Sequence, residues 1–446
     1  MKDPLYQMQR KLSQRRVNAV RKGLIGIIDI GSSKVICFIL KFTPEDTSSS
    51  RLPAGVSLPE NVAFRVVGVA TTRSRGVAFG EIQSIEEVER AIRTVVQAAQ
   101  KMASVLIEDV LVCFSGGYPR SYGVCGETEL MGNKVTELDI SNALLNCDIP
   151  DYGPGREVIH ALPVNFSVDN RSGLSDPRGQ SGKRLTVDLH LVTIEQSMVK
   201  SVIQAIKDCH LDLSGLTFSS YLSGLSSLTE DELQLGAGCI DLGAGSSGLS
   251  VFFRKQMIYA GSIRLGGVQI TSDIMKAFQI PFETAERIKN LHGGVISTSR
   301  DDRDLIEVKH NYGIWDDDRY TISRSELIGV IRPRVEEILE NLQLQLDAAG
   351  FENLSGKKIV LTGGASQLPG LFELANKILD CQVRIGRPLR IQGLPHATNG
   401  PDFAAAIGMA LNAGHPQDEC WDFKLPFNQS SLRKINGTLK WFFDNW

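Results

Sequence analysis

Two stretches of this chain share one pattern of apolar and small polar positions. Leu24 to Ile30 is apolar apart from Gly26 and Asp29; Gly31-Ser32-Ser33-Lys34 follows, and a second apolar run extends from Val35 to Leu40. Cys239 to Leu242, interrupted by Asp241, passes through Gly243-Ala244-Gly245-Ser246-Ser247-Gly248 into Leu249 to Phe253. Short apolar runs bounded by glycine and serine predict buried strands, so each copy reads as strand, tight turn, strand. A third run, Lys358 to Leu361, closes on Thr362-Gly363-Gly364-Ala365 and precedes a predicted helix over Leu371 to Leu379. Elsewhere, apolar residues at 85, 88, 91/92, 95/96 and 99 predict a helix from Ile85 to Met102. Further helices are expected over Glu137 to Leu145, Gln196 to Cys209, Val268 to Phe278, Pro281 to His292 and roughly 324 to 349, and strands over Ala63 to Ala70, Val110 to Phe114, Leu185 to Thr193 and Tyr259 to Gly267. Thr43 to Asn61 reads as a surface loop, 293 to 320 as polar and irregular, and 413 to 430 as a linker.

Composition narrows the class. At 446 residues the chain exceeds one hydrophobic core and suggests roughly two to four domains. A formal net charge of −3 gives no general drive toward nucleic acid, and no such partner is expected. Eight cysteines are scattered without CxxC pairs, several inside apolar runs, which points to a reduced compartment. No apolar run is long enough to span a bilayer, and the basic start has no apolar signal segment, so membrane attachment is expected to be peripheral. Residues 1–22 carry seven Lys/Arg against Asp3. They read as a basic tail, disordered or loosely helical, that is either solvated or touches anionic lipid or an acidic partner.

The turns carry the candidate chemistry. A turn free of bulky side chains exposes backbone N–H groups to an anion, and serine hydroxyls add donors. Two such turns can hold one polyphosphate between them. Asp29 and Asp241, each closing a buried strand, suit a Mg²⁺ ion held through water beside the phosphates.

Three glycine turns in this order resemble the phosphate-1, phosphate-2 and adenosine motifs of the actin, Hsp70 and sugar-kinase superfamily. Within it the chain resembles the FtsA family of bacterial actin-like cell-division proteins. His160-Ala161-Leu162-Pro163, Asp176-Pro177-Arg178-Gly179, Arg264 to Asp273, Ala285-Glu286-Arg287-Ile288-Lys289, Leu361 to Gly370, Val383-Arg384-Ile385-Gly386 and Ala404-Ala405-Ala406-Ile407-Gly408 carry the likeness. It covers about 23 to 411 and the C-terminal tail; the basic N-terminus and the insert near 43 to 60 lie outside it. The resemblance implies an α/β actin-like ATPase fold, two RNase-H-like domains around a nucleotide cleft. It assigns 23–82 and 169–212 to subdomain 1A, 83–168 to an inserted SHS2-like α+β subdomain 1C, 213–262 and 326–412 to 2A, and 263–325 to 2B. It implies ATP and Mg²⁺ as ligands. Asp29, Gly31, Ser32, Ser33 and Lys34 would line the first phosphate turn, and Asp241, Gly243, Ala244, Gly245 and Ser246 the second. Gly266 and Gly267 would approach the phosphates from the second domain. Glu286 and Lys289 would meet ribose and adenine, or form a solvated i,i+3 pair. Gly363, Gly364 and Ala365 would form the adenine platform. Ala244 stands where many relatives have glycine and requires a negative φ.

The function implied is a nucleotide-dependent scaffold. It would polymerise on the inner face of the cytoplasmic membrane at the division septum, tether the ring of FtsZ to it, and recruit later division proteins. Hydrolysis of ATP is expected to be weak at most, with no catalytic residue assigned. The FtsZ C-terminal peptide would dock on 2B, where Arg324, Arg332 and Arg334 either meet its acidic residues or make surface salt bridges. The alternative is a small-molecule kinase of the same fold, which requires a general base beside an acceptor hydroxyl. Ser431 to Trp446 reads as an amphipathic membrane-targeting helix. Leu432, Ile435, Leu439, Phe442, Phe443 and Trp446 fall within an arc of about 100°, with Arg433, Lys434 and Lys440 outside it. The other reading of this stretch is a helix docked on the protein's own core.

Overall fold

The computed structural model describes residues 4–43, 64–309 and 319–423. The insert near 43 to 60 and the tail from Ser431 to Trp446 therefore lie outside the described residues, apart from Thr43. The chain opens with helix α1 (Pro4–Lys22), then strands β1 (Leu24–Ile30), β2 (Lys34–Phe42) and β3 (Phe64–Arg73), a small hairpin β4 (Val77–Ala78) and β5 (Glu81–Ile82), helix α2 (Ile85–Ala103) and strand β6 (Asp109–Phe114). Strands β1, β2 and β3 form an antiparallel meander, while β6 pairs parallel to β1, from Gly26 opposite Val110 to Ile30 opposite Phe114. Helix α2 obeys the predicted spacing and buries Val88, Ile92, Val95 and Ala99; the Ser84 hydroxyl accepts from Glu87 N–H and caps its start.

The N-terminal segment is not a loose tail. Leu12, Val17, Ala19 and Val20 are buried along one stripe of α1. Arg15 pairs with Asp212 at 3.5 Å and Lys22 with Asp109 at 3.3 Å. The stripe is sparse and the cations dense, so the apolar period was hidden by charge that the fold uses against its own carboxylates. Arg21 and Lys22 also sit in the last turn, where the helix dipole favours cations.

An inserted unit follows β6: β7 (Arg120–Glu129), α3 (Glu137–Leu145), β8 (Arg156–Val168), β9 (Arg171–Leu174) and β10 (Arg184–Glu195), with sheet order β7-β10-β8-β9. Its limits differ from those expected. Helix α2 and β6, placed in 1C from the sequence, belong to the first sheet because β6 pairs with β1. Residues 171–195, placed in 1A, belong to the insert because β10 is its central strand, pairing with both β7 and β8. Helix α4 (Gln196–Asp208) and strand β11 (Asp212–Phe218) then complete the first sheet, in the order β11-β6-β1-β2-β3.

Helix α5 (Ser219–Ser227) carries the chain into the second domain, followed by α6 (Glu230–Leu235), β12 (Ala237–Leu242), β13 (Ser247–Phe253), β14 (Gln256–Ile263), α7 (Gly267–Phe278) and α8 (Phe282–His292). Then come β15 (Leu305–Lys309), β16 (Arg319–Ser323), α9 (Arg324–Ala348), β17 (Lys358–Thr362), α10 (Leu371–Leu379), β18 (Gln382–Ile385) and α11 (Ala404–Gly414). The sheet order β14-β13-β12-β17-β18 repeats the topology of the first: an antiparallel meander of three strands with two parallel strands beyond it. The segment read as irregular, 293 to 320, contains β15 and the first residues of β16, which pair antiparallel, with Ile306 and Val308 buried, as is Ile322 just beyond it. The segment read as a linker begins inside α11, and Cys420, Trp421 and Phe423 are buried against the insert.

Candidate functional site

The repeat places its two turns face to face. In each, the first glycine N–H donates to the carbonyl three residues on: Gly31 to Lys34 at 3.2 Å, and Gly243 to Ser246 at 3.1 Å. Neither glycine has a positive φ. A Cβ would stand 2.7 Å from the Ser246 carbonyl at Gly243, which excludes one there, and a tight 3.0 Å from the Lys34 carbonyl at Gly31. Ala244 is absent from the residues with positive φ, so its methyl group is accommodated. The turns also touch across the domains: a Cβ on Gly245 would lie 2.3 Å from Ser32 Oγ and 2.9 Å from Phe79 N. Only glycine lets them meet.

A cavity of about 980 Å³ opens between the domains at this point. Its walls include Asp29, Gly31, Ser32, Ser33 and Lys34 from the first turn, Asp241, Gly243, Ala244, Gly245 and Ser246 from the second, and Gly267, Glu286, Lys289, Gly363, Gly364 and Ala365. Gly266 is the exception. It stands behind the second turn, where a Cβ would come within 2.6 Å of the Gly243 carbonyl. The N–H groups of Gly267 and Val268 donate to the carbonyls of Gly243 and Ala244 at 3.0 and 2.8 Å. The start of α7 thus braces the turn and does not present these N–H groups to the cavity. Gly363 takes φ +84°, a region open to glycine at low cost. Gly364 has only the Asp402 Cβ nearby, at 3.7 Å, and leaves a flat floor.

Asp29 and Asp241 are enclosed by protein except toward the cavity. Burial, reinforced by the charge of Asp241 and opposed by Lys34, raises Asp29 to about 7. Burial raises Asp241 to about 6, against the Ser223 hydroxyl that donates to its Oδ2 at 2.6 Å. Two carboxylates that disfavour each other's ionisation at one end of a polar cavity suit a divalent cation, which reverses that preference. Lys34 reaches Asp402 and lies 3.5 Å from the Phe403 ring centroid, inside the cavity wall. Lys289 Nζ donates to Glu286 Oε2 and Thr271 Oγ1, both at 2.7 Å, and to the Gly267 carbonyl at 3.0 Å. Burial lowers the Lys289 pKa against the pull of Glu286. Burial works to raise Glu286, but Lys289 and its hydrogen bonds outweigh this and hold it below its ordinary value. Lys289 is buried and Glu286 partly exposed, so the pair braces the cavity edge with only its carboxylate end in contact with solvent.

Several wall residues escaped the sequence reading. Ser115, at the end of β6, lies 3.2 Å from Ser246 Oγ, and Gly80 N–H in the β4–β5 hairpin donates to Ser32 Oγ at 3.0 Å. The strand-then-glycine pattern Cys113-Phe114-Ser115-Gly116-Gly117 was the available signal for the first. Asp402 had none. Arg264 from the second domain lies over the rings of Phe79 and Tyr118 (4.8 and 5.3 Å) and pairs with Glu81 at 3.5 Å. Elsewhere in the second domain, Arg324 binds Asp301 at 2.7 Å, Arg332 binds Glu336 at 2.7 Å, and Arg334 binds Asp273 at 2.6 Å. All three arginines proposed for a partner peptide are engaged internally.

Comparison with known proteins follows the same division. The family described as cell division protein FtsA matches residues 238–408, and the SHS2 domain inserted in FtsA matches 116–193. The cell division protein FtsA of Rhizobium meliloti is 36% identical over 394 residues, covering 88% of this chain and 87% of that protein. The FtsA of Escherichia coli K12 is 30% identical over 400 residues, covering 88% and 91%. Among solved structures, the PilM-PilN type IV pilus biogenesis complex aligns with a TM-score of 0.58 at 17% identity, over 87% of this chain and 98% of that one.

Proposed function

The chain belongs to the FtsA family of cell-division proteins and has its actin-like fold with an SHS2 insert, and from that premise we propose that it is a nucleotide-dependent membrane scaffold of the division septum. The observation that carries the nucleotide reading is the meeting of two equivalent Asp-x-Gly turns across one cavity of about 980 Å³. Serine hydroxyls and the backbone of both turns take the phosphates, Lys34 adds its charge, and Gly363, Gly364 and Ala365 offer a flat surface to a purine. Asp29 and Asp241 fit a Mg²⁺ ion held through water, which would neutralise phosphate charge. ATP is the ligand that uses all three turns. The engagement of Lys34 by Asp402 is an exchangeable one: phosphates offer the ammonium a stronger set of acceptors.

Head-to-tail association of such protomers is a heterologous contact that propagates as an open filament. Among the described residues no helix is long and apolar enough to cross a membrane. The amphipathic segment from Ser431 to Trp446 is the proposed anchor to the inner face of the cytoplasmic membrane. The FtsZ C-terminal peptide on the β15–β16 side of the second domain, and later division proteins on the insert, complete the reading. The experiment is co-pelleting with anionic liposomes, with and without Mg–ATP, comparing the full chain with one ending at 429. Sedimentation of the full chain alone, strengthened by ATP, is expected; equal sedimentation of both removes the anchor. Failure to form filaments on a lipid monolayer with ATP removes polymerisation.

A further inference from the structure

The segment that leads toward the C-terminal tail does not hang free. Gln417 accepts from the Tyr221 hydroxyl at 2.8 Å and donates through Nε2 to the Lys255 carbonyl at 2.7 Å, both in the second domain. Two residues on, Glu419 takes the Ala161 N–H at 2.8 Å and lies 3.1 Å from His160 Nδ1, both in the insert. Cys420 is fully buried, with Trp421 and Phe423 nearly so, in the core of the insert. The Ser13 hydroxyl of α1 donates to Asp422 at 2.5 Å. Seven residues thereby tie together the second domain, the insert and α1.

These contacts converge on α5. His160 Nε2 accepts from Phe218 N–H at 3.2 Å, immediately before that helix, which leaves Nδ1–H to donate to Glu419. The His160 ring packs edge-on to Tyr221 with centroids 5.3 Å apart. The same short helix brings Ser219 and Ser220 to the cavity wall and Ser223 to Asp241. Residues i and i+2 of a helix point to different sides, so Tyr221 faces the strap while Ser223 faces the cleft. A rigid helix two residues from each site is a physical connection of the kind that can carry coupling.

We propose that residues 417–423 form a strap whose seating is coupled through α5 to occupancy of the cleft, so that the root of the C-terminal extension reports whether nucleotide is bound. The inference rests on the nucleotide reading given above. In this structure the strap is seated while Arg73 lies 3.6 Å from Glu283 across the cleft, so the seated strap accompanies contact between the cleft walls. Linkage is reciprocal: nucleotide holds the strap down by the factor by which the strap tightens nucleotide.

The buried thiol of Cys420 gives a local readout. The full chain is labelled with a maleimide, with and without Mg–ATP, and the Cys420 peptide is followed by mass spectrometry. Cys239, equally buried in the second sheet, reports global opening. Mg–ATP is expected to slow Cys420 labelling about fivefold with Cys239 unchanged. Tyr221→Phe keeps the ring and loses only the hydroxyl; Glu419→Gln keeps the shape and loses the charge. Each is expected to weaken Mg–ATP about fivefold by calorimetry and to speed Cys420 labelling, neither side chain lining the cavity. Equal labelling with and without Mg–ATP in a wild-type chain that binds it, with both variants binding normally, overturns the coupling alone. A wild-type chain that does not bind Mg–ATP overturns the nucleotide reading and the coupling with it.

Discussion

Asp29→Asn tests the reading of the cleft through two opposite effects. Asp29 is raised from 3.8 to about 7 by burial and by Asp241, so ionising it in the folded chain costs about 4 kcal/mol more than in the unfolded one. Part of Asp29 remains open to the cavity, and water there screens the charge, so the realised figure is nearer about 2 kcal/mol. The sign follows from linkage. The folded chain holds this proton more tightly than the unfolded chain does. The group's contribution is therefore full below about pH 4 and is lost as pH rises through about 7. Asparagine removes the titration and keeps the shape. Without nucleotide, Asp29→Asn is expected to match wild type near pH 4 and to melt higher at pH 8, by about 4–8 °C for 2 kcal/mol in a domain of this size. Calorimetry at pH 7.5 should show Mg–ATP affinity falling at least about a hundredfold, because the carboxylate is needed for the cation's water shell. A variant that melts at or below wild type at pH 8, or that keeps wild-type Mg–ATP affinity, refutes the argument.

Other outcomes test the remaining parts. Gly245→Ala puts a methyl group 2.3 Å from Ser32 Oγ and 2.9 Å from Phe79 N, forcing the two turns apart; a stability loss of about 1–3 kcal/mol and at least tenfold weaker Mg–ATP binding are expected, by thermal melting and calorimetry. Arg324→Ala removes one partner of Asp301, which keeps its bonds from the Thr298 N–H and hydroxyl, together with the bond to the His292 carbonyl, so it should lower the denaturation midpoint. Reversing the charge of Arg332, the most exposed of the three and paired one turn along its own helix with Glu336, is expected to weaken capture of the FtsZ C-terminal peptide in a fluorescence anisotropy assay, and unchanged binding moves that site elsewhere. Leu439→Glu with Phe443→Glu should leave the protein in the supernatant of a liposome spin while its Mg–ATP affinity in solution stays that of wild type.

What the sequence made legible was local. Each Asp-x-Gly turn is encoded within about a dozen neighbouring residues, and the small residues after the aspartate fit the geometry that the Gly31 and Gly243 hydrogen bonds display. The duplication was visible for the same reason, because β1–β2 and β12–β13 read alike before any pairing is known. What stayed hidden depends on distant partners. The limits of the insert follow from β6 choosing β1 over its chain neighbour β7, a decision between surfaces far apart in sequence. Helix α1 looked like a solvated tail because its cations answer Asp212 and Asp109, which the chain supplies about two hundred and about ninety residues later. The strap is preceded by Gly414 and Pro416 and carries three acids of its own, a linker composition, and only the core of the insert makes Trp421 a buried residue.

The insert itself shows how topology and mechanics can part company. By chain order it interrupts the first domain, yet Ser121 on β7 accepts the Ala260 N–H at 2.8 Å and lies 2.9 Å from the Ala260 carbonyl, on edge strand β14 of the second domain. His190 on β10 donates through Nδ1–H to the Met257 carbonyl at 2.8 Å and lies 3.0 Å from Ser121 through Nε2. Burial lowers His190 to about 4, so the ring stays neutral at ordinary pH and keeps the one tautomer that satisfies both partners. An edge strand left open would be a template for pairing with another chain; here the insert covers it. The insert is therefore fastened to the first domain by its connections and to the second by these side-chain bonds to the backbone of β14 and, through the strap, by Glu419 on the insert and Gln417 on the second domain. Any change in the angle between the domains must strain one attachment or the other. A unit held in this way would carry a small movement at the two glycine turns to the protein's surface.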